Sequence, residues 1–195
     1  MDFRNNPSAK PFRGIRNNNP FNLRRTAIKW AGKTQGTDKE FETFETIEQG
    51  IRAGIIDIVG DIVKDKQDTL NSLFAKFAPP FENDTNAYIN YISKVTGAAP
   101  TDKLAPGGKV DSMFLYKLAA AIITHENSAK GAALVKPETI RAGVDMAINS
   151  PQIRAYIKRS APGGPGTLNE RLNDLSGLIF MAVALFLILY AIMKP

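Results

Sequence analysis

The chain has 195 residues, 44% of them hydrophobic and 23% charged, which fits one folded domain with an appendage and excludes global disorder, collagen-like repeats and low-complexity architecture. It contains no cysteine and a single histidine, His125. Disulfide frameworks, thiolate nucleophiles and Cys-ligated metals are thereby excluded, a His-rich metal site or Ser-His-Asp triad is disfavoured, and any catalysis falls to carboxylates. The net charge of +6 is concentrated at one end: residues 1–33 carry eight Lys/Arg against Asp2 alone. Such a segment is drawn to polyanions, whether nucleic acid, anionic lipid or the anionic polymers of a bacterial envelope, or is simply a solvated basic surface.

In chain order, residues before Thr46 are rich in Asn, Pro, Gly and Arg, with Phe41 and Phe44 among charged residues, and predict loops with a short hairpin in a small β-rich lobe. Helices follow. Thr46-Ile-Glu-Gln49 has the form of a capping box, and Ile47, Ile51, Ile55, Ile58 and Ile62 make one apolar face, predicting a helix over 46–64. A second is expected from Thr69 to Pro79-Pro80, a third from Asp84 or Thr85 to Gly97, then a loop over 98–110, and a fourth capped by Asp111 and running to about Glu126. Pro137 and Pro151 suit first helical turns, so short helices are expected over 137–149 and 151–159. The soluble domain is thus 1–159 and mainly α, an α+β arrangement with a small N-terminal β/loop lobe. Residues 160–174, opening with Ser160-Ala-Pro-Gly-Gly-Pro-Gly-Thr167, read as a Pro/Gly-rich linker. Residues 175–193 carry no charge and, at a rise of about 1.5 Å per residue, predict one transmembrane helix that anchors the domain in a lipid bilayer.

Two segments suggest chemistry. Asn17, Asn18 and Asn19 precede a proline; their amides could hydrogen-bond sugar hydroxyls and acetamido groups, or could brace an Asn-Pro turn. At the end of Leu118-Ala-Ala-Ala-Ile-Ile-Thr-His-Glu-Asn127 an apolar helix delivers Glu126 beside His125. A carboxyl against an apolar wall has a raised pKa and could serve as a general acid; the alternative is a solvated helix-end residue.

The segments Gly14-Ile-Arg-Asn-Asn-Asn-Pro-Phe-Asn-Leu23, Phe41-x-x-Phe44, Gly50-Ile-Arg-Ala53, Ala78-Pro-Pro-x-Glu-Asn83, Thr85-x-x-Tyr88 and Ala121-Ile-Ile-Thr-His-Glu-Asn127 together resemble a family of bacteriophage virion proteins, some of them assigned lysozyme-like or lytic transglycosylase activity. The resemblance covers roughly residues 13–150, with Phe21 standing where that family has glycine. The segment around Glu126 is also similar to the helix that ends in the catalytic Glu of goose-type lysozymes and lytic transglycosylases, although here the Asn-rich lobe precedes it, as in a circular permutation.

These resemblances imply a lysozyme-like helical fold and a virion-associated peptidoglycan glycosidase, held in a membrane inside the capsid and opening the cell wall as the genome enters. Glu126 would donate the proton to the leaving oxygen, and Glu40 or Glu82 would supply a second carboxylate if the reaction needs one. Trp30, Tyr88, Tyr91 and His125, with the asparagines, would contact the sugar; no cofactor or metal is implied. A role in host lysis from the cell membrane is a further possibility. The contrasting reading is a non-catalytic virion membrane protein whose Arg13, Arg16, Arg24 and Arg25 contact capsid proteins or DNA.

Overall fold

A computed structural model describes residues 1–77 and 84–159. Helix α2 (Ile47–Val63) is its centre. Thr46 caps it, its hydroxyl accepting from the Gln49 N–H while the Gln49 side chain accepts from the Thr46 N–H. Ile47, Ile51, Ile55, Ile58 and Ile62 are at most 1% exposed, as their spacing predicts. Gly50, Ala53, Gly54, Ile56 and Val59 are buried too, so α2 is surrounded on several sides rather than lying on a surface.

Against it pack α6 (Pro137–Ile148), α5 (Ser112–Ala132) and α3 (Leu70–Phe77), while α4 (Thr85–Thr96) packs on α5 and α3. Asp84 caps α4 through the Ala87 N–H, and Gly97, at φ 80°, ends it in the left-handed conformation that glycine adopts without strain. Asp111 caps α5, its carboxylate accepting from the Met113 and Phe114 N–H groups. The helix breaks at Ser128 (φ 58°, ψ 166°), close to the expected end, and resumes to Ala132.

The N-terminal lobe holds less β structure than its composition predicts. A single-turn helix, α1 (Arg13–Arg16), carries part of the Gly-Ile-Arg-Asn motif, and the hairpin is a two-residue antiparallel ladder, β1 (Lys33–Thr34) with β2 (Thr43–Phe44). The helix expected over 151–159 is instead a 3-10 turn, Arg154–Tyr156, followed by β4 (Ile157–Lys158). This strand pairs in parallel with β3 (Val110–Asp111), in the register Val110↔Ile157. Ile153 and Ile157 are buried there, and the backbone of β3, emerging from the 98–109 loop, supplies the partner that ends helical bonding.

The expected fold class needs one correction. Among the described residues no helix is long and apolar enough to cross a membrane. The 175–193 segment and the 160–174 linker lie outside the described residues. What is described is mainly α, with two short strand pairs.

Candidate functional site

The Asn17–Asn22 loop lies between α2 and the end of α5, and glycines set that approach. A Cβ on Gly50 would stand 1.9 Å from the Asn18 carbonyl oxygen, and one on Gly54 would stand 2.4 Å from the Phe21 ring. Phe21 is 1% exposed, and the bare Cα of Gly54 accommodates its ring. On the other side a Cβ at Gly14 would meet the Asn127 side-chain oxygen at 2.3 Å.

This seating corrects the sugar-contact expectation for the asparagine run. Asn17, Asn18 and Asn19 are buried, the last two completely. Asn18 Oδ1 accepts from the Phe3 N–H, and its Nδ2 donates to the Phe44 and Glu45 carbonyls and to Asp2. Asn19 Nδ2 donates to the Leu23 and Glu42 carbonyls while its Oδ1 accepts from the Leu23 N–H. Asn17 Nδ2 donates to Asp38. A loop without ladder partners needs such donors and acceptors, so the run is the turn scaffold, the other reading its chemistry allows.

Where the loop meets α5, three side chains converge on Glu126. Asn22 Nδ2 donates to Oε2 at 2.9 Å, and the Tyr88 hydroxyl of α4 donates to Oε1 at 3.0 Å. His125 Nδ1 lies 3.9 Å from Oε1, and its ring stacks on Tyr88 with centroids 3.5 Å apart and planes 11° apart. Tyr91 flanks His125 at 6.0 Å between centroids. The Glu126 side chain keeps 20% exposure and His125 37%, so the group is open on one side. Asn127 anchors the helix end below it, its Nδ2 donating to the Pro20 and Ile123 carbonyls.

The electrostatics reverse the expected sign at Glu126. Burial pushes its pKa up, but His125, Asn22 and Tyr88 all favour the ionised form, and the net effect holds the carboxyl below the usual glutamate range. At neutral pH it is therefore a carboxylate, not a standing general acid. Tyr88 moves the other way: burial first, then the neighbouring Glu126 charge, pushes its hydroxyl well above the usual range, so it stays protonated and donates. Burial also raises Tyr91.

The remaining expected site residues lie apart from this group or have other roles. Tyr88 is 1% exposed with one face covered by His125, so it positions Glu126 and does not offer a platform for a sugar. Trp30 is partly buried against the core. Glu40 bonds to Arg13 Nη2 at 3.0 Å and stays 63% exposed, in a network organised by Asp38, which grips Arg13 at 2.7 and 2.8 Å. That pairing holds the Asp38 carboxyl well below the usual range. Glu82 lies outside the described residues. Among the basic residues, Arg13 and Arg24 lie over the Phe41 ring at 4.1 and 5.4 Å, Arg25 Nη1 donates to the Asp38 carbonyl, and Arg16 Nη1 donates to the Lys10 carbonyl. Among the described residues no cluster of three or more His, Asp or Glu could hold a metal ion.

Sequence reasoning missed Asn22 and Asp38. Asn22 had one available signal, a fourth asparagine just past the proline, and it adopts φ 51°, a conformation asparagine tolerates better than most residues.

No family model matches the sequence. The chain is similar to protein P5 of Pseudoalteromonas phage PM2, 38% identical over 96 residues that make up 47% of this chain and 60% of that protein. It is thus related to a bacteriophage protein, and its match spans less than two thirds of that relative's length.

Proposed function

We propose that the chain is a bacteriophage virion protein that cleaves the glycan strands of peptidoglycan during genome delivery, with Glu126 exchanging the proton with the glycosidic oxygen. The observation that carries this reading is the convergence of Asn22, Tyr88 and His125 on one partly open carboxylate at the seam of two lobes. The Ser128 backbone, in a region that side chains rarely adopt, adds support, because such strain collects at functional sites. The phage relative supports the virion setting.

Among the described residues Glu40 is paired with Arg13 and does not join the Glu126 group. One carboxylate suffices for the lytic transglycosylase outcome, in which the sugar's own C6 hydroxyl attacks the anomeric carbon. Glu126 gives its proton to the leaving oxygen and recovers one from that hydroxyl, so the proton count closes without a second acid. A bound sugar ring that covers the carboxylate and displaces water raises its pKa toward the value the first step needs.

The test is release of anhydro-muropeptides, read by mass spectrometry, from purified peptidoglycan. Glu126→Gln keeps the shape and abolishes release. Tyr88→Phe removes one donor, which raises the Glu126 pKa and moves the alkaline fall in rate to higher pH. A non-catalytic virion role, with Arg13, Arg16, Arg24 and Arg25 meeting capsid or DNA, draws on the exposure of Arg24 and Arg25. Absence of muropeptide release together with steeply salt-dependent DNA binding decides for it.

A further inference from the structure

The stretch Arg24-Arg25-Thr26-Ala27-Ile28-Lys29 is exposed at every position, and Ile28, at 47% exposure, is one of the few large apolar side chains the described surface presents to water. The stretch is held firmly from behind. Lys33 Nζ donates to the Thr26 carbonyl at 2.7 Å, to the Ile28 carbonyl at 3.3 Å and to Glu42 at 2.8 Å, while Glu42, 1% exposed, also accepts from the Thr26 N–H. At its start the Arg25 N–H donates to the Glu40 carbonyl, and at its end Trp30 seats against the core. The Arg25 and Thr26 N–H groups and the Thr26 and Ile28 carbonyls thus face the protein, and an isoleucine flanked by cations faces out. Buried ion pairs are costly to assemble, and this one fixes a loop whose outermost apolar side chain, Ile28, is turned to water.

We propose that this loop docks peripherally on an anionic phospholipid bilayer, with Ile28 entering the headgroup–acyl boundary and Arg24, Arg25 and Lys29 meeting lipid phosphates. Charge complementarity selects the anionic surface, and Ile28 selects a bilayer over a nucleic acid, since an aliphatic side chain has no ring to stack on bases and gains most by leaving water for hydrocarbon. Long cationic stems can lie along the interface with their heads among the phosphates. The proposal does not depend on any reaction at Glu126.

The chain's single tryptophan, Trp30, lies two residues from Ile28 and reports on the loop alone, whatever else in the full-length chain touches lipid. Full-length protein is titrated with phosphatidylcholine vesicles containing 30% phosphatidylglycerol (about one lipid in three, enough to give the strongly negative surface the argument requires), some carrying brominated acyl chains. The expected result is a blue-shifted Trp30 emission quenched by bromine, absent with pure phosphatidylcholine and weakened by salt. Arg25→Gln with Lys29→Gln weakens this response roughly 25-fold, at about fivefold per charge. Ile28→Ser weakens it about tenfold. An unchanged Trp30 emission, an equal response to neutral vesicles, or full quenching in the variants overturns the proposal. So does a Trp30 response to duplex DNA with none to vesicles, which would make the loop a nucleic-acid contact.

Discussion

From Ile47 onward the main chain bonds chiefly to itself in helices, and isoleucine side chains fill the interior. In residues 1–45 the strands are two residues long and side chains take over that work: Asn18 and Asn19 bond four carbonyls and two N–H groups between them, and Lys33 bonds two carbonyls and a buried carboxylate. The difference teaches how to read polar residues in this chain. Where the backbone supplies its own partners, a buried charge is a cost; where it does not, a buried amide or ion pair is the framework.

The severest way to break this contrast is Lys33→Met. It leaves Glu42 buried without its cation and frees two carbonyls, and the expected loss is about 3–5 kcal/mol by urea unfolding. A loss below ~1 kcal/mol would show that the lobe does not rest on polar bracing. Asn19→Ala comes next, at about 2–3 kcal/mol, because it strands the Leu23 N–H and two carbonyls in the interior.

The helical region supplies the opposite sign. Asp57 of α2 is pushed up to about 6 by burial, with Asp61 and Asp65 adding to the effect and Lys76 opposing it. Its protonated form is favoured in the fold, so its contribution is fully present below about pH 4 and is lost as pH rises through about 6. Asp57→Asn is therefore expected to stabilise the protein by on the order of 2 kcal/mol at pH 7.5, with the advantage vanishing near pH 4. Equal unfolding midpoints for the two proteins at pH 7.5 would sink that expectation.

Local signals in the sequence carry the helices well. The capping box at Thr46, the isoleucine spacing of α2, the Asp84 and Asp111 caps and the Gly97 stop each act within one or two turns, and each is where the pattern puts it. Segment 151–159 defeats the same logic, because its fate depends on a partner strand 47 positions earlier, and no local propensity encodes that. Glu126 is legible as an apolar helix delivering an acid to its end. Its charge state is not: the apolar wall argues for a raised pKa, and the three groups that lower it include Tyr88 from another helix and Asn22 from the opposite lobe. The asparagine run misleads for a related reason. Three adjacent amides offer the same donors and acceptors to a sugar as to a bare backbone, and only the tertiary seating decides which receives them.

The Asn22–Glu126 bond joins positions 104 residues apart. Closing so long a loop has an entropic cost that only the finished packing of α2, α4 and α5 offsets. During synthesis, then, the residues of the asparagine framework all emerge long before those around Glu126, whereas α2 waits for α6, its main packing partner, which follows Glu126 in the chain. Whatever that carboxylate does is withheld until the last third of the domain has been made and seated, so the completeness of the fold itself times the appearance of the site.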